Sequence, residues 1–312
     1  MTSQQSPRAN GLQRAKHFWR SFSRGLPRLR PPDFATFWNG PLDSLTYSCL
    51  ASFPYYGARL RLYSYAPDID VPHGVEIADA RSICRDETLV GRYIADGRVS
   101  YAKFSNLFRY EMIRQTGSCW VDTDIMCLRR PDFSDEAFVF GRQLEPSDAS
   151  SINNAVLKLP KDHRIVADLV DRAKAVVDLD QLWGVIGPTL LTEMIKIHGL
   201  DARARDVRHF YPIVFDHFWK PLLPDYRHAV DKATQDATFL HLWHEFFRRS
   251  NYDKDACAPA GSFFHEACRR VGTLDRFTRT YEAGELRTAL SGWIRDDADR
   301  ETDPSVVAAD RF

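Results

Sequence analysis

The stretch that decides the fold runs from Ser100 to Asp124 and reads SYAKFSNLFRYEMIRQTGSCWVDTD. Serine is favoured at a helix N-cap, and glycine is favoured just past the last helical residue, where the backbone turns left-handed. Ser100 and Gly117 therefore predict a helix of about four turns between them. The apolar run Cys119–Asp122 that follows predicts a strand. The stretch is thus a helix that leads through a tight turn into a strand.

The predicted helix has two different faces. Its apolar stripe consists of Tyr101, Phe104, Phe108 and Met112. We expect this stripe to pack against a core, because its spacing follows the turns of a helix. Ser105, Asn106 and Arg109 lie at i, i+1 and i+4 and share another face. A guanidinium on that face suits a two-point contact with a phosphate, although a structural ion pair is the alternative.

Two carboxylates, Asp122 and Asp124, close the stretch. At positions i and i+2 of a strand end they point to the same side of the backbone and repel each other. A divalent cation relieves that repulsion, and hard cations take oxygen ligands. Ligands of open α/β sheets also bind beyond the carboxyl ends of strands. The pair therefore predicts a metal site, with a turn that carries two exposed aspartates as the alternative.

Elements on both sides of this stretch predict an α/β fold. Phe34–Trp38 reads as a strand, Pro41–Tyr56 as a helix and Arg59–Tyr65 as a strand. Such a unit favours a parallel sheet. Further strands are predicted at Val75–Ile77, Phe138–Gly141, Ala155–Leu159 and Thr238–Trp243, and further helices at Lys161–Val177 and Pro188–His198. We expect one domain over residues 33–294, with a mainly parallel sheet flanked by helices.

The two ends carry opposite charge. Residues 1–32 hold seven Lys and Arg and no acid, whereas residues 295–312 hold six Asp and Glu. The basic arm predicts either an amphipathic helix on an anionic membrane surface or a disordered segment. Its apolar face would consist of Leu12, Phe18, Trp19, Phe22 and Leu26. We expect the acidic tail to be flexible.

Composition excludes several classes of protein. The chain has 312 residues with 42 Lys and Arg against 42 Asp and Glu, and this balance argues against a nucleic-acid binder. No apolar run approaches the ~20 residues of a membrane span. The six cysteines lack zinc-ligand spacing, and no secretory signal precedes them. We therefore expect reduced thiols in a cytoplasmic protein, peripheral at the inner face of a membrane if the basic arm binds there.

The stretch from Phe104 to Asp124 also resembles a known family. The run FSNLFRY, then Gly117, then WVDTD is similar to the sugar-nucleotide core of glycosyltransferase family 32 and of the related clostridial toxin glucosyltransferases. That core has Ser-Asp-x-x-Arg-Tyr, a Gly-Gly turn, an aromatic residue and a DxD motif; Trp38-Asn-Gly40 resembles its Trp-x-Gly. Asn106 and Ser118 depart from the pattern, because they stand where the family has Asp and the second Gly.

This resemblance implies a GT-A fold and a hexosyltransferase that uses Mn²⁺ or Mg²⁺. The donor would be a nucleotide-diphosphate sugar, with a UDP-sugar favoured over a GDP-sugar. The acceptor would be a glycan or a glycolipid, and the anomeric configuration would be retained. The alternatives are a protein-modifying glycosyltransferase, a catalytically silent nucleotide-sugar binder, and a metal-dependent phosphohydrolase. The last would normally need more ligands on several strand ends.

The resemblance also implies roles for individual residues. Asp124 would bind the metal, and Asp122 would share the metal or bind the donor's ribose or sugar. His241 would complete the metal site in preference to His244. The remaining donor contacts would come from Trp38 and Gly40 at the base, from Asn106 and Arg109 at the sugar and phosphate, and from Asn153 and Asn154 at the sugar hydroxyls. Trp38 is equally suited to a core, and the two adjacent asparagines are equally suited to a turn.

A truncation tests the basic arm. A chain that starts at Asp33 is expected to keep its fold and its donor hydrolysis but to lose binding to anionic vesicles, because each basic residue near such a surface contributes about 1 kcal/mol. Co-sedimentation with vesicles that contain phosphatidylserine measures the loss, and neutral vesicles are the control. Equal binding by the full and truncated chains would reduce the arm to a linker.

Overall fold

A computed structural model of the protein describes residues 33–66, 68–144, 150–182 and 184–294. The predicted basic arm and acidic tail lie outside the described residues, so both remain predictions. Within the described ranges, no helix is long and apolar enough to cross a membrane.

Thirteen short strands and nine α-helices occur in the described ranges. The strands are β1 (Phe34–Phe37), β2 (Leu60–Ser64), β3 (Val75–Asp79), β4 (Ile94–Ala95), β5 (Arg98–Val99), β6 (Cys119–Val121), β7 (Ile125–Cys127), β8 (Val139–Leu144), β9 (Ser150–Lys158), β10 (Asp180–Gln181), β11 (Phe239–His241), β12 (Ala256–Cys257) and β13 (Arg279–Thr280). The helices are α1 (Ser44–Tyr55), α2 (Tyr101–Thr116), α3 (Arg164–Lys174), α4 (Leu190–Ile197), α5 (Val207–Phe210), α6 (Arg227–Ala233), α7 (His244–Arg249), α8 (Phe263–Val271) and α9 (Ala283–Ala289). A π-helical turn, Val185–Thr189, precedes α4.

The central sheet has six strands in the order β3-β2-β1-β6-β9-β8. Strands β3, β2, β1 and β6 run parallel to one another, and β9 and β8 complete the sheet in antiparallel fashion. Hydrophobic clusters cover both faces of this sheet, and helices contribute to each. The expectation of an α/β fold with a mainly parallel sheet flanked by helices is confirmed.

Helix α2 begins and ends where its sequence predicts. The Ser100 hydroxyl accepts a hydrogen bond from the backbone N–H of Lys103 at 3.1 Å, and Gly117 adopts a left-handed conformation with φ of 70°. Phe104 and Phe108 are fully buried and pack against Phe37 at 5.4 and 4.6 Å between ring centres.

Tyr101 does not belong to the buried stripe of α2, because its side chain is 51% exposed. Phe37 is the last residue of β1, and Phe104 already packs against it. Tyr101 lies one turn earlier in the helix, on the N-terminal side of this contact.

The chain order creates a topological switch point at the carboxyl ends of β1 and β6. After β1 the chain adds β2 and β3 on one side, and it then returns to place β6 on the other side of β1. Ligands of open α/β sheets bind at such a switch point, beyond the carboxyl ends of the strands. Trp38 follows β1 and Asp122 follows β6 at this edge.

The structure corrects the strand geometry predicted for Asp122 and Asp124, and it excludes the alternative of a turn at Asn153 and Asn154. The strand that ends at Val121 does not continue through Asp124, because the chain turns there and starts β7, which pairs with β11 in a separate sheet. Asn153 and Asn154 do not form a turn. They lie inside the nine-residue strand β9, where pairing with β6 and β8 holds the backbone extended and both side chains are buried.

A buried tyrosine secures strand β9 and offers a stability test. The hydroxyl of Tyr211 accepts a hydrogen bond from the backbone N–H of Val156 at 3.0 Å, and Tyr211 is 1% exposed. Tyr211→Phe is expected to lower the free energy of unfolding by about 1–3 kcal/mol, because it leaves that N–H buried and unpaired. Urea unfolding measures the change. Tyr55→Phe, at a half-exposed tyrosine, is the control, and equal effects of the two substitutions would contradict this reasoning.

Candidate metal and donor site

A tight turn presents the two carboxylates. The backbone N–H of Asp122 donates to the carbonyl of Ala155 at 2.8 Å, and the N–H of Ile125 donates back to the carbonyl of Asp122 at 3.1 Å. The pair therefore converges through a turn and not through the alternation of an extended strand. The two carboxylates lie close together, as the sequence predicts. A turn after Val121, and not an extended strand, brings them together.

Strand β11 brings a histidine to this turn. His241 pairs with Ile125 across β7 and β11, and the backbone N–H of Leu242 donates to the carbonyl of Asp124 at 3.0 Å. The Nε2 atom of His241 consequently lies 3.2 Å from Oδ2 of Asp124. One ligand atom from each of Asp122, Asp124 and His241 lies within 4.8 Å of the other two.

The donor set and its spacing fit a divalent cation. Two ligands in neighbouring positions of an octahedron with bonds of ~2.1 Å lie roughly 3 Å apart, as the His241 and Asp124 atoms do. Oxygen ligands suit Mg²⁺ and Mn²⁺, and the added imidazole shifts the preference toward a transition metal. The three predicted ligands therefore lie together and could hold a divalent cation.

Asp124 is buried but remains ionised. Burial alone would raise its pKa, yet the charge and the contact of His241, together with a 2.8 Å hydrogen bond from the backbone N–H of His244, hold the pKa of Asp124 well below its usual value. The carboxylate therefore carries its negative charge at neutral pH, which is the form that binds a cation.

His244 has different surroundings. Its ring nitrogen Nε2 lies 3.3 Å from the hydroxyl of Thr46, and its ring centre lies 6.2 Å from that of Trp38. Burial lowers the pKa of His244, so its ring is predominantly neutral at pH 7. This residue reaches the metal cluster through its backbone N–H, whereas His241 reaches it through its imidazole.

Arg109 holds the other carboxylate. Its Nη2 atom donates to Oδ1 of Asp122 at 2.5 Å, and the indole N–H of Trp120 donates to the same oxygen at 2.6 Å. The guanidinium lies over the Trp120 ring, 4.8 Å from its centre, and Arg109 is only 2% exposed. The buried ion pair that the sequence left as an alternative for Arg109 is thus present.

Asparagines complete the surroundings of Arg109. Oδ1 of Asn106 accepts from Nη1 of Arg109 at 3.0 Å and from Nδ2 of Asn154 at 2.7 Å. Asn153 faces other partners, because its amide donates to Gln143 and accepts from the backbone N–H of Ala155 at 2.6 Å. Of the two neighbouring asparagines on β9, Asn154 joins the cluster.

Trp38 and Gly40 lie at the carboxyl end of β1, beside the cluster. The Trp38 ring packs against the edge of a core and its indole N–H donates to the carbonyl of Pro41 at 3.1 Å. Gly40 adopts φ of 113°, which glycine accepts without strain. Their contact with the nucleotide base stays a prediction.

Two tryptophans of the site were missed from the sequence. Trp120 stands two residues before Asp122, and a hydrogen bond between these positions has no sequence signal of its own. The Trp243 ring lies 3.9 Å from that of His241, centre to centre, and its indole N–H donates to the carbonyl of Ile213 at 2.9 Å. Trp243 also has φ of 59°, and this left-handed turn directs the next N–H, that of His244, at Asp124.

No protein-family model and no curated protein sequence matches the chain. Solved structures similar to it include the PaToxG glycosyltransferase, at 17% identity over 73% of this chain and 87% of that one, with a TM-score of 0.37. The apo form of the glycosyltransferase GlyE of Streptococcus pneumoniae TIGR4 matches at 12% identity over 86% of this chain, with a TM-score of 0.39. The chain spans 64% of the GlyE chain. Because these scores are below 0.5, we infer function from the residues of the site.

Paired histidine variants test the metal cluster. His241→Ala is expected to weaken Mn²⁺ binding by at least about tenfold, because it removes one ligand of the cation. His244→Ala is expected to change the affinity much less, since the backbone N–H at 244 is kept. Titration of free Mn²⁺ by electron paramagnetic resonance measures both affinities. A larger loss in His244→Ala would identify that ring as the ligand and contradict the placement of β11.

Proposed function

We propose that the protein is a metal-dependent glycosyltransferase that moves a hexose from a nucleotide-diphosphate sugar to a glycan or glycolipid hydroxyl, with retention of configuration. One observation carries the proposal: Asp122, Asp124 and His241 converge at the carboxyl edge of the sheet, at the β1/β6 switch point. A site with this ligand chemistry at this place suits a diphosphate bound through a cation.

The chemistry of the leaving group explains why such a site carries carboxylates. When the bond between sugar and phosphate breaks, negative charge develops on the nucleoside diphosphate. A divalent cation, Mn²⁺ or Mg²⁺, acts there as a Lewis acid that neutralises this charge. Asp124 and His241 would hold the cation, and Asp122 would share it or face the donor. The chain itself thus supplies the ligands and orients the diphosphate.

Neighbouring residues supply candidates for the remaining donor contacts. Trp38, with Gly40 beside it, is the proposed contact of the base, for which uracil is favoured over guanine. Asn106, Arg109 and Asn154 form a buried polar wall next to Asp122, and we assign the sugar and phosphate side of the donor to this wall. Asn153, the neighbouring residue of β9, is proposed to contact a sugar hydroxyl as well, but not as part of this wall, because its amide points away from Asn154 and bonds to Gln143.

The proposed location of the reaction follows from charge. We place it in the cytoplasm, with the basic residues of the segment 1–32 in contact with an anionic membrane surface. A glycolipid acceptor would be concentrated at such a surface.

A single substitution tests the activity. Asp124→Asn is expected to lower Mn²⁺-dependent hydrolysis of a UDP-hexose by about 10²–10³-fold, as the loss of one preorganised electrostatic contact does. Release of UDP from a panel of UDP- and GDP-hexoses measures the rate, and the thermal unfolding midpoint without metal shows that the fold is kept. The exposed Asp236→Asn is the matched control. Wild-type turnover by Asp124→Asn would overturn the proposal, and UDP binding without turnover in the unmodified protein would identify a silent binder.

A further inference from the structure

A chain of hydrogen bonds crosses three elements beside the metal cluster. It starts on β9 at Asn154, passes through Asn106 and Arg109 on α2, and ends at Asp122 after β6. We propose that Asn154 is a positioning residue, which acts through Asn106 and Arg109 to hold Asp122 in one orientation. The proposal rests on the proposed function, since it gives Asp122 a place in the donor and metal site.

The end of this chain fixes the carboxylate of Asp122. Two donors, Nη2 of Arg109 and the indole N–H of Trp120, converge on Oδ1 at 2.5 and 2.6 Å. Rotation of the carboxylate would break both bonds, and charge-assisted bonds of this length are the strong ones. Oδ1 is therefore occupied by the protein, and Oδ2 is the oxygen that can face a cation or a donor.

Arg109 needs support of its own. An arginine side chain has many rotamers, and holding it in one of them costs entropy. Here the Trp120 ring covers the guanidinium and Asn106 accepts from Nη1. If the Asn106 oxygen turned away, Nη1 would be left buried without a partner, and the guanidinium would shift to find one. The orientation of the Asn106 amide thus controls where Arg109 points.

Asn154 sets that orientation. Its Nδ2 group donates to Oδ1 of Asn106, while Nδ2 of Asn106 donates to the carbonyl of Ala102 at 3.1 Å. Both contacts require the Asn106 oxygen to face Asn154 and Arg109. Gly187 closes over the pair, because a Cβ at that position would lie only 3.3–3.4 Å from the two amides. The amides are accordingly confined to one arrangement.

The neutrality of residue 106 also matters. An aspartate at this position would compete with Asp122 for the single guanidinium of Arg109. The amide accepts a hydrogen bond from Nη1 without placing a second carboxylate beside Arg109, so Asp122 is the carboxylate that Arg109 neutralises. Asparagine at position 106, where the resembled family has aspartate, therefore has a role in this chain, because its amide supports Arg109.

The indole proton of Trp120 reports on this chain directly. Its short bond to Asp122 is expected to move its signal downfield in a ¹⁵N-resolved NMR spectrum, and Trp120→Phe assigns that signal among the seven tryptophans. Asn154→Leu is expected to shift the signal upfield. The same variant is expected to raise by about tenfold the Mn²⁺ concentration needed for half-maximal donor hydrolysis, as one lost buried hydrogen bond would, and excess Mn²⁺ is expected to restore the rate.

A matched variant separates positioning from general loss of stability. Thr273→Val removes the buried hydrogen bond, 2.8 Å long, between the hydroxyls of Thr273 and Ser48. It is expected to lower the unfolding temperature without moving the Trp120 signal or the Mn²⁺ requirement. If Asn154→Leu does not fold, Asn154→Ser takes its place, because the serine side chain is too short for its hydroxyl to reach Asn106.

The results of these experiments test the positioning role of Asn154 and the proposed function independently of each other. An unmoved Trp120 signal in the Asn154 variants would overturn the positioning role, and so would a moved signal with an unchanged Mn²⁺ requirement. If the unmodified protein hydrolyses no donor and added Mn²⁺ does not broaden the Trp120 signal, the proposed function fails. The signal shift in Asn154→Leu would then still show whether the chain of hydrogen bonds reaches Asp122.

Discussion

Two carboxylates one residue apart cannot share a mostly buried place unless each is neutralised, and this constraint organises the site. Arg109 and the indole of Trp120 hold Asp122 from the side of α2. His241 and the backbone N–H of His244 hold Asp124 from the side of β11 and α7. The two supports come from different layers of the molecule, and the two carboxylates lie between them at the carboxyl ends of the strands.

Much of the fold could be predicted because its signals are local. The cap at Ser100 and the left-handed glycine at 117 bound α2, a short apolar run marks β1, and an alternating run marks β2. The interruption of the strand at Asp122 could not be predicted, since it depends on the pairing of β7 with β11, far along the chain. Asn153 and Asn154 read equally well as a turn, and only the partners of β9 hold them extended.

In the candidate site, too, some features could be predicted from the sequence and others could not. The carboxylates and Arg109 are identifiable by residue type and spacing, whereas His241 was expected at the metal from the family resemblance. The direction of each side chain was not identifiable. The helical spacing places Arg109 on a polar face, but nothing in the sequence indicates that its guanidinium lies over Trp120 and donates to Asp122. The same limit applies to Trp243, whose left-handed backbone carries no signature in a non-glycine residue.

The pairing of β7 with β11 also governs when the site comes into being. Asp124 and the N–H that caps it are 120 residues apart in the chain. During synthesis, the two carboxylates leave the ribosome long before His241, the third member of the cluster. Until β11 is made, one edge of β7 has no partner strand and can pair with strands of other chains. Closure of this long loop is a slow kind of step in folding. The ligand cluster consequently forms late in folding. A chain that has formed the cluster has also paired β7 with β11.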